Sequence, residues 1–267
     1  MNNTFSFKRF IRLFGKDNDM YFRNFGTSII VFSCMPAVFW IFNLIIGTTT
    51  LPIVRFAFIC IMVAIAMMIV PSKVYGNANL SRDGVGFAML PASSLEKFLC
   101  MFIHCAILTP IIIYCWAHLI DLLLSLFPFG GFEGRIHIYS ISEIVRMIDD
   151  SSGVMQAGNA GESFSDMFPV GVFRPAYYTG IIMWSAIFML GNMLFKKHKA
   201  GKTLALFLGV KIVFSIIGGI IGSDHPSTPE ENAQIFQNVW AVRLIYFIVI
   251  TALLLFFTYR KIKTQKY

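Results

Sequence analysis

Long apolar runs separated by short polar stretches dominate this chain. Six runs stand out, at about 25–47, 53–71, 94–127, 175–195, 203–222 and 239–259. An apolar helix of roughly 20 residues crosses the hydrocarbon core of a bilayer. The pattern therefore predicts an all-α polytopic membrane protein with six transmembrane helices. The first span is expected to kink near Pro36 and the second to end at Pro71. The third, with Pro110 inside it, is longer than a bilayer requires and must tilt, kink or protrude.

Ahead of the first span, residues 5–16 place Phe7, Phe10, Ile11 and Phe14 on one helical face, with Lys8, Arg9, Arg12 and Lys16 around the rest. A soluble core helix would show the same stripe. The basic flank directly before a membrane span favours an interfacial amphipathic helix lying on an anionic leaflet.

Composition agrees with a membrane protein. Only 13% of the 267 residues are charged and the mean hydropathy is +0.70, whereas a soluble domain carries about 25% charged residues. The net charge of +8 does not indicate nucleic acid, because the basic residues fall in short clusters between apolar runs. Five Lys/Arg lie in residues 1–24, three in the loop 72–97, four in 196–202 and four after 259. The turns 48–52 and 223–238 have none, and the long segment 128–174 has three against six acids. The positive-inside rule then puts both termini and the loop 72–97 in the cytoplasm, and 128–174 outside. The whole of 1–267 reads as a single transmembrane domain.

The five cysteines all lie in apolar spans without a CxxC pair, so they read as small hydrophobes rather than a disulfide framework or a metal site. The first apolar run is too long for a signal-peptide core, and none is expected. No cofactor is expected either. Gly201-Lys202-Thr203 resembles the tail of a phosphate-binding loop, but Lys196 stands where the partner glycine is required, so no nucleotide cradle is expected. HExxH and GxSxG are absent, and the chain is not expected to be an enzyme.

The polar residues inside the spans carry the remaining candidates. Lys211 falls about eight residues into the fifth span, where a lysine costs about 2.5–3.5 kcal/mol. It reads as a substrate-pathway contact or as a side chain snorkelling inward. His118 and Asp121 share a face near the outer end of the third span. They read as a proton-relay pair or as a hydrogen-bonded pair near the headgroups. His104, closer to the depth of Lys211, reads as a packing hydrogen-bonder. Arg55 and Arg243 are expected to snorkel outward. Ser215, Gly218, Gly219 and Gly222 offer a small-residue face for close helix approach, within the bundle or across a dimer.

One polar island remains, Leu90-Pro91-Ala92-Ser93-Ser94-Leu95-Glu96-Lys97-Phe98, at the end of the inner loop. Ser93 and Glu96 have capping-box spacing, so each can satisfy an orphan backbone N–H. The stretch reads as the cap of a membrane helix or as a cytoplasmic contact element. With six spans, both ends inside and a basic amphipathic start, the motif resembles permease subunits of type-2 ABC exporters, in the form found in Bacteroidota-type bacteria. The resemblance implies a bacterial inner-membrane protein working as a homodimer or heterodimer of permeases. It further implies docking to a separate cytoplasmic ATP-binding subunit through the loop 72–97, which makes Arg82, Asp83, Pro91, Ser93, Glu96 and Lys97 contact candidates. The chain departs from that family at 223–238, which is short and polar where a re-entrant apolar hairpin is usual. Two rival readings keep their place: a non-transporting anchor or sensor acting through 128–174, and a proton-coupled secondary transporter using His118, Asp121 and Lys211.

Overall fold

A computed structural model of the chain describes residues 5–50, 52–79, 87, 89–127, 132, 170–222 and 229–264. Among them the architecture is all-helical, and the β-type pairing is a single isolated bridge between Thr50 and Phe132. In chain order the helices are α1 (Phe7–Ile46), α2 (Pro52–Val74), a 3-10 turn (Gly76–Asn79), α3 (Ser94–Phe102), a π-helical turn (Ile103–Leu108), α4 (Thr109–Leu124), α5 (Val170–Leu194), α6 (Lys199–Gly222) and α7 (Pro229–Thr264). The helices Phe7–Ile46, Val54–Val74, Ser94–Leu124 and Val242–Thr264 are long and apolar enough to cross a membrane. The predicted runs 175–195 and 203–222 also lie on helices, α5 and α6.

The largest difference from the sequence reading is at the N-terminus. The expected surface helix 5–16 and the first span form one continuous helix of 40 residues, about 60 Å long at 1.5 Å per residue. That is about twice the thickness of a hydrocarbon core, so part of α1 must project beyond any bilayer it crosses. A stripe at near-four-residue spacing explains the continuity: Leu13, Asp17, Tyr21, Phe25, Ile29 and Ser33 are all buried. Phe10 and Phe14 turn inward against Leu13, Ala92 and Cys100, whereas Phe7 and Ile11 stay exposed. The face expected to lie on lipid is thus divided between the protein interior and the surface. The helix passes through Pro36 without a break and closes at Gly47, whose φ of 73° is the left-handed geometry glycine adopts at no steric penalty.

Prolines are also tolerated elsewhere. α2 continues one turn beyond Pro71, since that proline's carbonyl still accepts from Tyr75 N–H at 3.1 Å. In the long helix 94–124 the π-helical turn ends at Leu108, two residues before Pro110. Proline lacks an N–H and its ring presses on the carbonyl four residues back. One widened turn accommodates both, with Thr109 N–H donating to His104 O five residues earlier. The polar stretch 223–238, expected to be a loop, is helical from Pro229 onward.

α1 packs on α4 and α2, α2 on α5, and α7 chiefly on α5. The shared core runs through Tyr21, Phe25, Met67, Val70, Met101, Cys105, Ile113, Met189 and Met193. α5 and α6 approach so closely that a Cβ built on Gly191 would lie 1.9 Å from Thr203 Oγ1 and 2.8 Å from Thr203 Cβ. Thr203 is buried and its hydroxyl donates to Lys199 O, so it has little room to yield.

Gly191→Ala should therefore overpack the α5–α6 contact by about 1–3 kcal/mol. It should lower the midpoint of thermal unfolding in detergent, and Thr203→Gly in the same chain should recover part of the loss. An unchanged midpoint for Gly191→Ala alone would contradict this packing.

Candidate functional site

Among the described residues two polar clusters stand out in the bundle. The first is built on the Leu90–Phe98 motif. The capping box expected from the Ser93–Glu96 spacing is present: Ser93 Oγ accepts from Glu96 N–H at 3.3 Å, and Glu96 Oε2 accepts from Ser93 N–H at 2.9 Å. The carboxylate also reaches a distant part of the chain. Oε1 accepts from Ser6 N–H at 2.8 Å and from Arg9 Nη2 at 3.2 Å. One fully buried carboxylate thus caps both α3 and the start of α1.

This geometry redistributes the contact candidates. Ser93, Glu96 and Lys97 are buried, with Lys97 Nζ donating to Phe87 O at 2.7 Å and lying 5.3 Å from the Phe87 ring centre. These side chains hold the element together, while Pro91 is exposed. Two exposed neighbours that the sequence reading passed over, Met89 and Leu95, stand beside it in the chain. Arg82 and Asp83 lie outside the described residues.

Immediately below the motif, the π-helical turn faces a buried network. Thr109 Oγ1 donates to His104 O at 2.7 Å, so the Tyr21 hydroxyl, 3.0 Å away, donates to Thr109. His104 Nδ1 lies 2.8 Å from Cys100 O, and a carbonyl can only accept, so Nδ1 carries the proton. That leaves the Tyr75 hydroxyl, 3.1 Å from the same nitrogen, to donate to Asp17 Oδ2 at 3.4 Å. His104 Nε2 is buried without a hydrogen-bond partner, and the ring stacks on Phe14 with centroids 4.8 Å apart. His104 thus packs and hydrogen-bonds within the bundle, the role read for it from the sequence. α5 and α6 tie into the same region: Asn192 Nδ2 donates to Tyr75 O at 3.1 Å, and Lys199 Nζ donates to Gly76 O. Burial holds the Lys199 ammonium below the ordinary lysine range.

The second cluster lies at the opposite end of α2 and corrects two expectations. Arg55 does not snorkel outward. It is buried, with Nε donating to Asp121 Oδ1 at 3.2 Å, Nη1 donating to Thr50 O at 3.1 Å, and its guanidinium 4.4 Å from the Phe132 ring centre. Asp121 is therefore the partner of Arg55. His118 is not paired with it: both ring nitrogens lack a hydrogen-bond partner, and the ring lies against Tyr114, with centroids 4.2 Å apart. The spacing of three along the helix brings His118 and Asp121 to one face, but the arginine from α2 claims the carboxylate. Arg55 stands in a different helix 66 residues away, and helix periodicity does not report such a pairing.

Lys211 is exposed on α6, on the outside of the bundle, and no contact joins it to His118 or Asp121 among the described residues. Arg243 is exposed, 5.3 Å from the Phe247 ring centre. Ser215 is exposed, and the surroundings of Gly218, Gly219 and Gly222 lie outside the described residues. So does nearly all of 128–174. No group of three or more His, Cys, Asp or Glu able to hold a metal occurs among the described residues. Comparisons of the chain with protein-family models, with curated proteins and with solved structures find no match.

Both clusters predict measurable losses. Replacing Glu96 by Ala strands the Ser6 and Ser93 amides, each at about 1–3 kcal/mol if it stays buried. Amide hydrogen exchange at 6–16 should accelerate and trypsin should cleave sooner after Arg9 and Arg12, with Glu96→Gln intermediate. Unaltered exchange in Glu96→Ala would contradict the clamp. Removing either Arg55 or Asp121 alone leaves an uncompensated buried charge and should destabilise by about 3–5 kcal/mol. The double replacement Arg55→Met/Asp121→Leu should recover most of it, read as unfolding midpoints in a double-mutant cycle; additive losses would contradict the pairing.

Proposed function

We propose that this chain is the membrane-spanning permease subunit of an ATP-driven exporter, coupled to a separate cytoplasmic ATPase through the loop 72–97. In this reading six helices cross a bacterial inner membrane with both termini inside, and two permeases work together. The observation that carries the reading is the construction of the Leu90–Phe98 element. A helix cap in a passive loop needs only its own Ser93–Glu96 exchange. Here the same carboxylate also fastens the start of α1, which immobilises the element from two directions. Met89, Pro91 and Leu95 remain on its surface. A fixed contact element bearing an apolar surface is suited to receiving force from a partner, because little of that force is lost in local bending.

Transmission would follow the chain. A push on α3 reaches α4 through the π-helical turn, and reaches α1 through Glu96 and through the Tyr21–Thr109 hydrogen bond. A π-helical turn is a natural place for two helix segments to reorient, since its hydrogen-bond register is already shifted. The proton-coupled alternative loses support, because its Asp121 is committed to Arg55 and its Lys211 lies on the bundle exterior.

Affinity purification of the tagged chain from native membranes in mild detergent, followed by mass spectrometry, tests the proposal. A near-stoichiometric soluble protein carrying a phosphate-binding loop is the expected companion. The double variant Met89→Asp/Leu95→Asp should reduce its recovery by roughly tenfold or more, as loss of a central apolar contact does, without moving the unfolding midpoint. Intact complexes without an ATPase would overturn the exporter reading. An ATPase retained in full by the double variant would overturn the role given to this surface.

A further inference from the structure

α1 and α2 run antiparallel, as the Phe39–Phe58 stack near their connection and the Ser28–Lys73 hydrogen bond further along them show. Between them, on the outside of the bundle, lies a groove of about 340 Å3 lined by Asn24, Thr27, Ser28, Val31, Phe32, Ile69 and Lys73. Its chemistry is ordered along both helices. On α1 the amide and hydroxyls of residues 24, 27 and 28 come first, and Val31 and Phe32 follow one turn deeper into the apolar stretch. On α2, running the other way, Lys73 stands at the polar end and Ile69 one turn deeper. Polar lining meets polar lining, and apolar meets apolar.

Lys73 supplies the charge. Its Nζ donates to Ser28 Oγ at 2.7 Å, which brings the ammonium to the α1 hydroxyls while leaving two N–H groups for a ligand. Among the described residues no carboxylate lines the groove and no ion pair includes Lys73. Arg23, exposed and next to Asn24 in α1, adds a second positive charge at the same end. An ammonium, two hydroxyls and an amide leading into an apolar trough match an anionic phosphate ester attached to an acyl chain. A free anion would leave the trough unused, and a neutral apolar molecule would leave the ammonium uncompensated.

We propose that this α1–α2 groove binds the headgroup and upper acyl chain of an anionic phospholipid. The phosphate is held by Lys73 and Ser28, and the chain lies along Val31, Phe32 and Ile69. The site requires only that α1 and α2 lie in a bilayer; it stands apart from the exporter reading.

The test is thermal unfolding of the full chain in mild detergent, titrated separately with dioleoyl phosphatidylglycerol, dioleoyl phosphatidylcholine and glycerol 3-phosphate. Phosphatidylglycerol should raise the midpoint at lower concentration than phosphatidylcholine, and glycerol 3-phosphate should not raise it. Lys73→Gln should weaken the phosphatidylglycerol response roughly fivefold, the contribution of one basic side chain at an anionic surface. Lys16→Gln, elsewhere on α1, should leave it unchanged. Equal responses to the two lipids, an undiminished response in Lys73→Gln, or an equal effect of glycerol 3-phosphate would each overturn the proposal. Should Lys73→Gln fail to fold, native mass spectrometry of the unmodified chain from mixed micelles decides. Preferential retention of phosphatidylglycerol supports the site, and indifferent retention overturns it.

Discussion

The carboxylate of Glu96 fixes the relation between α1 and the helical path 94–124. Three donors from two distant stretches converge on it: the amides of Ser6 and Ser93 and the guanidinium of Arg9. A helix N-terminus leaves backbone donors without intrahelical partners and carries a partial positive charge, so one buried anion can serve two such ends when they meet. The meeting holds the start of α1 against the Leu90–Phe98 element. It also explains why the amphipathic beginning of α1 is not a separate surface helix. Once Ser6 and Arg9 are held at Glu96, Leu13, Phe10 and Phe14 must pack on Ala92 and Cys100. From there the buried stripe runs without interruption to Ser33.

The polar groups inside the bundle divide by how completely they are satisfied. Arg55 and Asp121 form an ion pair, and Arg55 makes further contacts with Thr50 and Phe132, the arrangement a buried charge requires. Tyr21, Thr109, Tyr75 and Asp17 form directed chains in which each hydroxyl proton has an acceptor. The histidines differ: His104 keeps one ring nitrogen unpartnered and His118 both. Each ring is instead packed against aromatic neighbours. The directed chains surround the π-helical turn, so the one irregular stretch of the 94–124 helix is also the best supplied with side-chain hydrogen bonds. At this turn Thr109 donates both its amide and its hydroxyl to His104 O.

The sequence conveyed local features well and cross-helix features poorly. The apolar runs located the helices because burial of helical backbone in hydrocarbon depends on composition over about twenty residues, which a single stretch reveals. The capping box was legible for the same reason, since Ser93 and Glu96 satisfy each other within one turn. Prolines misled at Pro71, where one further turn of helix costs less than breaking the packing of Val74 and Tyr75. Arg55 misled because snorkelling and ion pairing begin from the same residue type at the same depth. The choice depends on whether a carboxylate on another helix lies within reach. The further grip of Glu96 on Ser6 and Arg9 was equally invisible, being a contact across about ninety positions.

The same distinction bears on where force could enter and leave this protein. Buried ions resist motion because separating them exposes an unpaired charge. The Arg55–Asp121 end of the α2–α4 contact should therefore behave as a fixed pivot. Toward the opposite end lies the π-helical turn, joined to α1 by the neutral Tyr21–Thr109 hydrogen bond, and a neutral hydrogen bond contributes only about 0.5–1.5 kcal/mol net. A load applied to α3 would be resisted strongly at Asp121 and weakly at His104 and Thr109, so displacement would concentrate at the π-helical turn. Glu96 would carry α1 along with α3, because its bonds to Ser6 and Arg9 move with the motif. Rigid attachment on the loop side, a compliant turn below it and an ion-paired anchor at the far end together favour a rocking motion of α1 and α3 over a sliding one.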